Sequence, residues 1–250
     1  MGNRPEKPLR WFFREYRFVV LLGLLGTLIL AAPFFGTVDV RGRAGLPEIV
    51  LGSLFIFMLL SAATAVARSR VSMITAWCLV IPLVLFWLYD MMTGPSNVAL
   101  ARHPLSIVYV GYVIVLILRH LFTTDRVTVD TIASSLCVYF LLAILWAEIY
   151  TIMEIANPGS FHVTTPGVAD VPLELGGGGT ALALYYSLVT ISTLGYGDVV
   201  PKTAPARMFA AMEAVTGQMY LAVLVARLVG MHIAHSKRWT DEPDNDDGGR

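Results

Sequence analysis

The sequence is short of charge. Asp, Glu, Lys and Arg make up 14% of its 250 residues, where a water-soluble domain carries about a quarter. That leaves too little polar surface to face water on every side. Acids and bases number 18 each, so the formal charge is zero. Net charge therefore offers no argument for a nucleic-acid partner, and none is expected. Cysteine is scarce as well: Cys78 and Cys137 both fall inside apolar blocks. They imply no disulfide framework and read as small packed hydrophobes. The five histidines, His103, His120, His162, His232 and His235, show no ligand spacing with Cys or with acids. No nucleophile–base constellation appears either. Neither a metal centre of the usual kind nor a cofactor nor an enzyme activity is expected.

What is present is apolar and comes in long runs. Hydrophobic residues make up 56% of the chain, and about 20 of them in succession suffice to cross a bilayer as a helix. Blocks of that kind run over Phe18–Phe35, Pro47–Ala67, Met73–Met92, Pro104–Phe122, Ile132–Ile155 and Arg207–Ile233. The expectation is an all-α integral membrane protein with six transmembrane helices. The first block is longer than the roughly 7–15 residues of a signal-peptide core and lacks a small-x-small cleavage site. The start "MGNRPE" has Glu6 where myristoylation wants Ser or Thr.

Charge placement orients the helices. Six crossings put both termini on one side, together with Arg4, Lys7, Arg10, Arg14, Arg17, Arg68, Arg70, Arg119, Arg126, Arg227, Lys237, Arg238 and Arg250. The other side has Arg41, Arg43, Arg102, Lys202 and Arg207. The positive-inside rule then places both termini in the cytoplasm, most simply at the cell membrane. The tail "TDEPDNDDGGR" is acidic and reads as disordered.

Between the fifth and sixth blocks lies "ANPGSFHVTTPGVADVPLELGGGGT", a Pro- and Gly-rich extracellular loop. Then comes "ALALYYSLVTIS", too short to span and too apolar for open water. Such a segment suits a re-entrant half-helix. The "TLGYGD" that follows, residues 193–198, is irregular backbone at membrane depth, tolerated only where protein buries it or where it lines a watery cavity. A dehydrated cation needs several oxygen ligands, and a backbone supplies them if successive carbonyls share one direction. Ordinary strands alternate their carbonyls. Aligning them requires alternating backbone handedness, which Gly195 and Gly197 accept for want of a Cβ. Leu194 and Tyr196 must then point away, into packing. Thr193 adds a hydroxyl at the inner end. The half-helix's C-terminal dipole favours a cation in the cavity below.

These residues resemble a known family. "TISTLGYGD" is similar to the signature of potassium channels, and "LYYSLVTISTLGYGDVVP" matches that family's pore helix and selectivity filter. Ile132–Ile155 resembles its outer pore helix and "ARMFAAMEAVTGQMYLAVLVARLVG" its inner helix. The likeness covers roughly Leu136 to Ile233 and is most specific within Leu184–Pro201. It implies a homotetramer with a single K⁺-selective pore. In it, carbonyls of the stretch Thr193, Leu194, Gly195, Tyr196 and Gly197, with the Thr193 hydroxyl, line the ion path, and those of Thr193 to Tyr196 hold K⁺. It further implies filter support from Asp198, Tyr185, Tyr186, Thr190 and Ser192, and a gating hinge at Gly217.

Two departures stand out. Leu194 replaces the commoner Val. Val189 stands where some members carry a Glu that contacts the filter Asp, so Asp198 lacks that partner. Tyr196 is retained where Na⁺-passing relatives usually lose it. Several residues keep a second reading. Tyr185 and Tyr186 are either a cuff around the filter or interface-belt aromatics. Gly217 is a hinge, a close-packing site, or both. Glu213, an intramembrane acid, either bonds the pore helix or contacts ions. Glu148 and Glu154 face different directions, with Glu154 solvated or capping the pore helix. Asp170 and Glu174 either draw cations to the mouth or are merely solvated.

The resulting expectation has four parts. Residues 1–17 form a cytoplasmic segment, 18–122 a four-helix membrane domain, 123–233 the pore domain and 234–250 a disordered tail. The fourth span, "PLSIVYVGYVIVLILRHLF", has Arg119 as its only Lys or Arg. A voltage sensor needs several charges in the field, so the channel is expected to ignore voltage. Its gating ligand, if it has one, is not legible. The alternatives are a weakly selective monovalent cation channel and a potassium uptake transporter subunit, the latter normally with four such loops in one chain.

Overall fold

A computed structural model describes residues 16–35, 46–66, 70–93, 99–124, 128–164 and 177–240 of the chain. Four helices come first: α1 (Arg17–Phe35), α2 (Leu46–Val66), α3 (Arg70–Thr93) and α4 (Ala99–Thr123). The second half holds α5 (Val129–Ala156), strand β1 (Phe161–Val163), α6 (Gly177–Ile191), strand β2 (Val199–Pro201) and α7 (Ala204–Thr240). The fold is all-α apart from one two-stranded antiparallel pairing, and it is that of an integral, multi-pass membrane protein.

Among the described residues, five helices are long and apolar enough to cross a membrane: Arg17–Phe34, Arg70–Tyr89, Ala101–Thr123, Val129–Ala156 and Ala204–Gly230. The remaining expected block, Pro47–Ala67, forms α2, 21 residues long. Its apolar stretch Gly52–Ala65 is shorter than a full crossing among the described residues.

α5 is the spine. It packs against α4, α1, α6 and α7, and 56% of its span is buried against 17% for that of α7. Its start is fixed by Thr128, whose hydroxyl accepts the Thr131 amide at 3.2 Å as an N-cap. Asp130, in its first turn, accepts the Phe18 amide at 3.2 Å. That bond satisfies a donor at the start of α1 that its own helix cannot. The N-terminal ends of α1 and α5 thus lie together.

In hydrocarbon a phenol must find a partner, and here they bridge helices. Tyr109 of α4 donates to the Leu59 carbonyl of α2 at 2.5 Å, and Tyr112 to the Ser72 carbonyl of α3 at 3.2 Å. Tyr220 of α7 reaches the Ser135 carbonyl of α5 at 2.6 Å. A buried ionisable pair also joins α4 to α5. His103 Nδ1 lies 2.5 Å from Glu148 Oε2, while the Ser106 hydroxyl donates to Glu148 Oε1 at 3.1 Å.

Three helix boundaries, one strand pair and one side chain differ from expectation. β1 and β2 were not foreseen. They pair Phe161 with Pro201, His162 with Val200 and Val163 with Val199. α6 begins at Gly177, inside the glycine run assigned to the loop. α7 begins at Ala204, where the Thr203 hydroxyl accepts the Ala206 amide at 3.4 Å and Pro205 has no amide proton to satisfy. It continues to Thr240, so residues 234–240, assigned to the disordered tail, are helical. Glu154 is neither solvated nor a pore-helix cap. It is 3% exposed and accepts the Gly159 and Phe161 amides at 2.7 and 3.1 Å, closing the turn after α5. The first 15 residues, most of the loop with Asp170 and Glu174, and residues 241–250 lie outside the described parts.

Candidate functional site: the loop between α6 and β2

α6 carries "ALALYYSLVTI" and stops at Ile191. Its last carbonyls are satisfied by the chain turning back. Val189 O receives the Leu194 amide at 2.9 Å and the Gly195 amide at 3.3 Å. Thr190 O receives the Thr193 amide at 2.9 Å, and the Ser192 hydroxyl donates to Leu188 O at 2.6 Å. These bonds do for the end of α6 what a C-cap does elsewhere.

Beyond that point the handedness alternates. Thr193, Gly195 and Gly197 have φ of 58°, 57° and 79°, while Leu194, Tyr196 and Asp198 are not left-handed. Two of the three positions are glycine, which takes this region without steric cost, and the third is a β-branched residue, for which it is an outlier. A Cβ added at Gly195 would meet nothing within 4 Å, so the need for glycine there is conformational.

The outer end is held from two sides. Asp198 lacks the glutamate partner some relatives have, but it is not alone. The Tyr185 phenol donates to Asp198 Oδ2 at 2.6 Å, and the Val199 amide bonds Oδ1 at 3.0 Å. Thr164, just after β1, donates its amide to Asp198 O at 2.7 Å. Its hydroxyl lies 3.0 Å from Gly197 O and 2.9 Å from Asp198 O. Sequence reasoning missed Thr164. The β-branched and aromatic run "FHVTT" was the available sign of a short strand.

Tyr186 turns the other way, into the protein. It forms a triangle of edge-to-face rings with Tyr150 and Phe161, their centroids 5.1 to 5.3 Å apart. Tyr185 thus contacts the end of the loop by a hydrogen bond, while Tyr186 packs into the interior between α5 and β1.

Glu213 of α7 is fully buried. The Tyr150 phenol donates to its Oε2 at 2.6 Å, and Ser187 of α6 contacts its Oε1. Gly217, one turn on, is also buried. A Cβ there would lie 2.5 Å from Ile191 O and 2.6 Å from Ile191 Cγ1. The glycine lets α7 touch the end of α6.

One expectation meets a different arrangement. Leu194 and Tyr196, which had to point into packing, are 55% and 68% exposed within this chain. Nothing among the described residues covers them. One side of α7 is likewise open, with Met208, Met212, Val215 and Met219 exposed.

A family model described as an ion channel matches residues 175–233, from just before α6 well into α7. Two-pore potassium channel 4 of Arabidopsis thaliana is 43% identical over 47 residues, 19% of this chain. The matched stretch spans 16% of that relative's length. No solved structure matches the chain. These likenesses cover a minor part of the chain and support a potassium channel family.

Gly217 is the contact most open to direct test. Gly217→Ala forces a methyl into the α6 terminus, and overpacking of this kind costs about 1–3 kcal/mol. The detergent-solubilised variant should unfold at a lower temperature than the parent, with faster hydrogen exchange at residues 191–195. An unchanged melting point and exchange pattern would contradict the contact.

Proposed function

We propose that the chain is the subunit of a homotetrameric, K⁺-selective channel that conducts passively through the loop at residues 193–197. The observation that carries this reading is the backbone alternation at Thr193, Gly195 and Gly197 directly after a short buried helix. With every second residue left-handed, successive carbonyls can face one axis, as a dehydrated cation requires. Carbonyls of Thr193, Leu194, Gly195 and Tyr196, with the Thr193 hydroxyl, coordinate K⁺, and Gly197 completes the outer turn. Asp198, Tyr185, Tyr186, Thr190 and Ser192 hold the loop in shape.

One loop cannot enclose an ion, so four copies are needed. The exposure of Leu194, Tyr196 and the Met-rich side of α7 supports this, because these are the surfaces a neighbouring copy would cover. Tyr196 favours K⁺ over Na⁺. Six spans, with α2 counted among them, put both termini in the cytoplasm, as the Lys and Arg distribution requires. Gly217 is the place where α7 can bend, next to its contact with α6.

The first four helices form a collar without a voltage sensor. α4 carries Arg102 and Arg119, close to its two ends, and no Lys or Arg between them. One elementary charge crossing the whole field gains about 2.3 kcal/mol per 100 mV, and sensors use three or four. Open probability in symmetric K⁺ should therefore stay nearly flat with voltage. A steep, saturating conductance–voltage curve would contradict this.

The filter itself is tested at Gly195. Gly195→Ala adds about 1–2 kcal/mol of left-handed strain per subunit without a steric clash. K⁺ flux into proteoliposomes should be abolished while the tetramer persists in size-exclusion chromatography. A tetrameric variant conducting like the parent would sink the carbonyl-filter reading.

A further inference from the structure

The contacts around Glu213 contain a proton-counting problem. A serine hydroxyl carries one proton. Ser187 Oγ lies 2.7 Å from the Ala143 carbonyl oxygen and in hydrogen-bond contact with Glu213 Oε1. If Glu213 were ionised, both neighbours would be acceptors, and one close oxygen pair would have no proton between them. The Tyr150 phenol cannot supply it, because its own proton serves Glu213 Oε2 at 2.6 Å.

We propose that Glu213 is held as the neutral carboxylic acid, and that its proton completes a one-way chain from Tyr150 through Glu213 and Ser187 to the Ala143 carbonyl. Tyr150 donates to Oε2, the acid proton on Oε1 goes to Ser187 Oγ, and Ser187 donates to Ala143 O. Each of the three contacts then holds one proton, and both carboxyl oxygens of Glu213 are satisfied.

The surroundings agree. Glu213 has 0% exposure, in the middle of a membrane span. The ionisable groups facing it are the phenols of Tyr150 and Tyr139 from α5 and Tyr186 from α6. Among the described residues no Lys, Arg or His pairs with it. A buried carboxylate without a cation is costly, whereas a fully bonded neutral acid is tolerated. The chain also joins the three elements on which the loop depends. Tyr150 and Ala143 belong to α5, Ser187 to α6 and Glu213 to α7. Glu213 is thus a positioning residue, fixing the middle of α6 between the two long helices without adding negative charge behind the loop. The consequence for permeation rests on the channel reading; the protonation state does not.

Infrared spectroscopy of the full-length protein in lipid tests this at neutral pH. The parent-minus-Glu213→Gln difference should contain the carbonyl stretch of a protonated carboxyl. Glutamine can still accept from Tyr150 and donate to Ser187, so Glu213→Gln should keep the tetramer and the parent's K⁺ flux. A difference showing carboxylate stretches instead would overturn the proposal, as would loss of the tetramer in Glu213→Gln. Tyr150→Phe gives an independent check, since removing the donor to the acid carbonyl should shift the same band to higher frequency. If no such band exists to shift, the proposal fails. The band is read without any flux, so a non-conducting parent that shows it would sink the channel reading alone.

Discussion

Backbone that leaves the helix inside a membrane must have its polar groups met by protein or by a lined cavity, and the second half of this chain is arranged around that demand. α6 ends at Ile191, and the amides of Thr193, Leu194 and Gly195 fold back onto the carbonyls of Val189 and Thr190. From there to Asp198 the chain is supported from outside itself. Tyr185 holds the Asp198 carboxylate, and Thr164 bonds the Asp198 and Gly197 carbonyls. The β1–β2 pairing brings Thr164 within reach. Behind α6, the Tyr150–Phe161–Tyr186 rings and the Glu213 contacts fill the space toward α5 and α7.

The two halves of the molecule meet on α5. The His103–Glu148–Ser106 cluster ties it to α4 near one end, and the Asp130–Phe18 bond ties it to α1 at the other. Arg227 of α7 makes a further contact with the first half. It donates to the Thr124 carbonyl at 2.9 Å, and its guanidinium lies 5.0 Å from the Phe122 ring centre.

Much of this was legible in the sequence, for reasons that differ by element. Long apolar runs can only be helices in a bilayer, so α1, α3 and α5 were readable to within a few residues, while α4 starts earlier and α7 runs further than their apolar blocks. The loop was readable because alternating left-handed positions leave a mark, glycine at 195 and 197. Thr193, which shares that geometry, leaves none, because its side chain does not advertise it. Partners distant in sequence were hidden. Nothing in "TLGYGD" says that Tyr185 will hold Asp198, or that Thr164 will reach it from 33 or 34 residues away. The packing of Leu194 and Tyr196 was expected, but both are exposed among the described residues, and nothing in the side chains themselves tells what lies against them.

The central claim is selective passage of K⁺ through the loop. Purified protein in a planar bilayer, with K⁺ on one side and an equal concentration of Na⁺ on the other, tests it most directly. The account predicts a strongly displaced reversal potential, set by K⁺ and moving with the K⁺ ratio when Na⁺ is held fixed. A reversal potential near zero under the bi-ionic condition, with robust current, would contradict it.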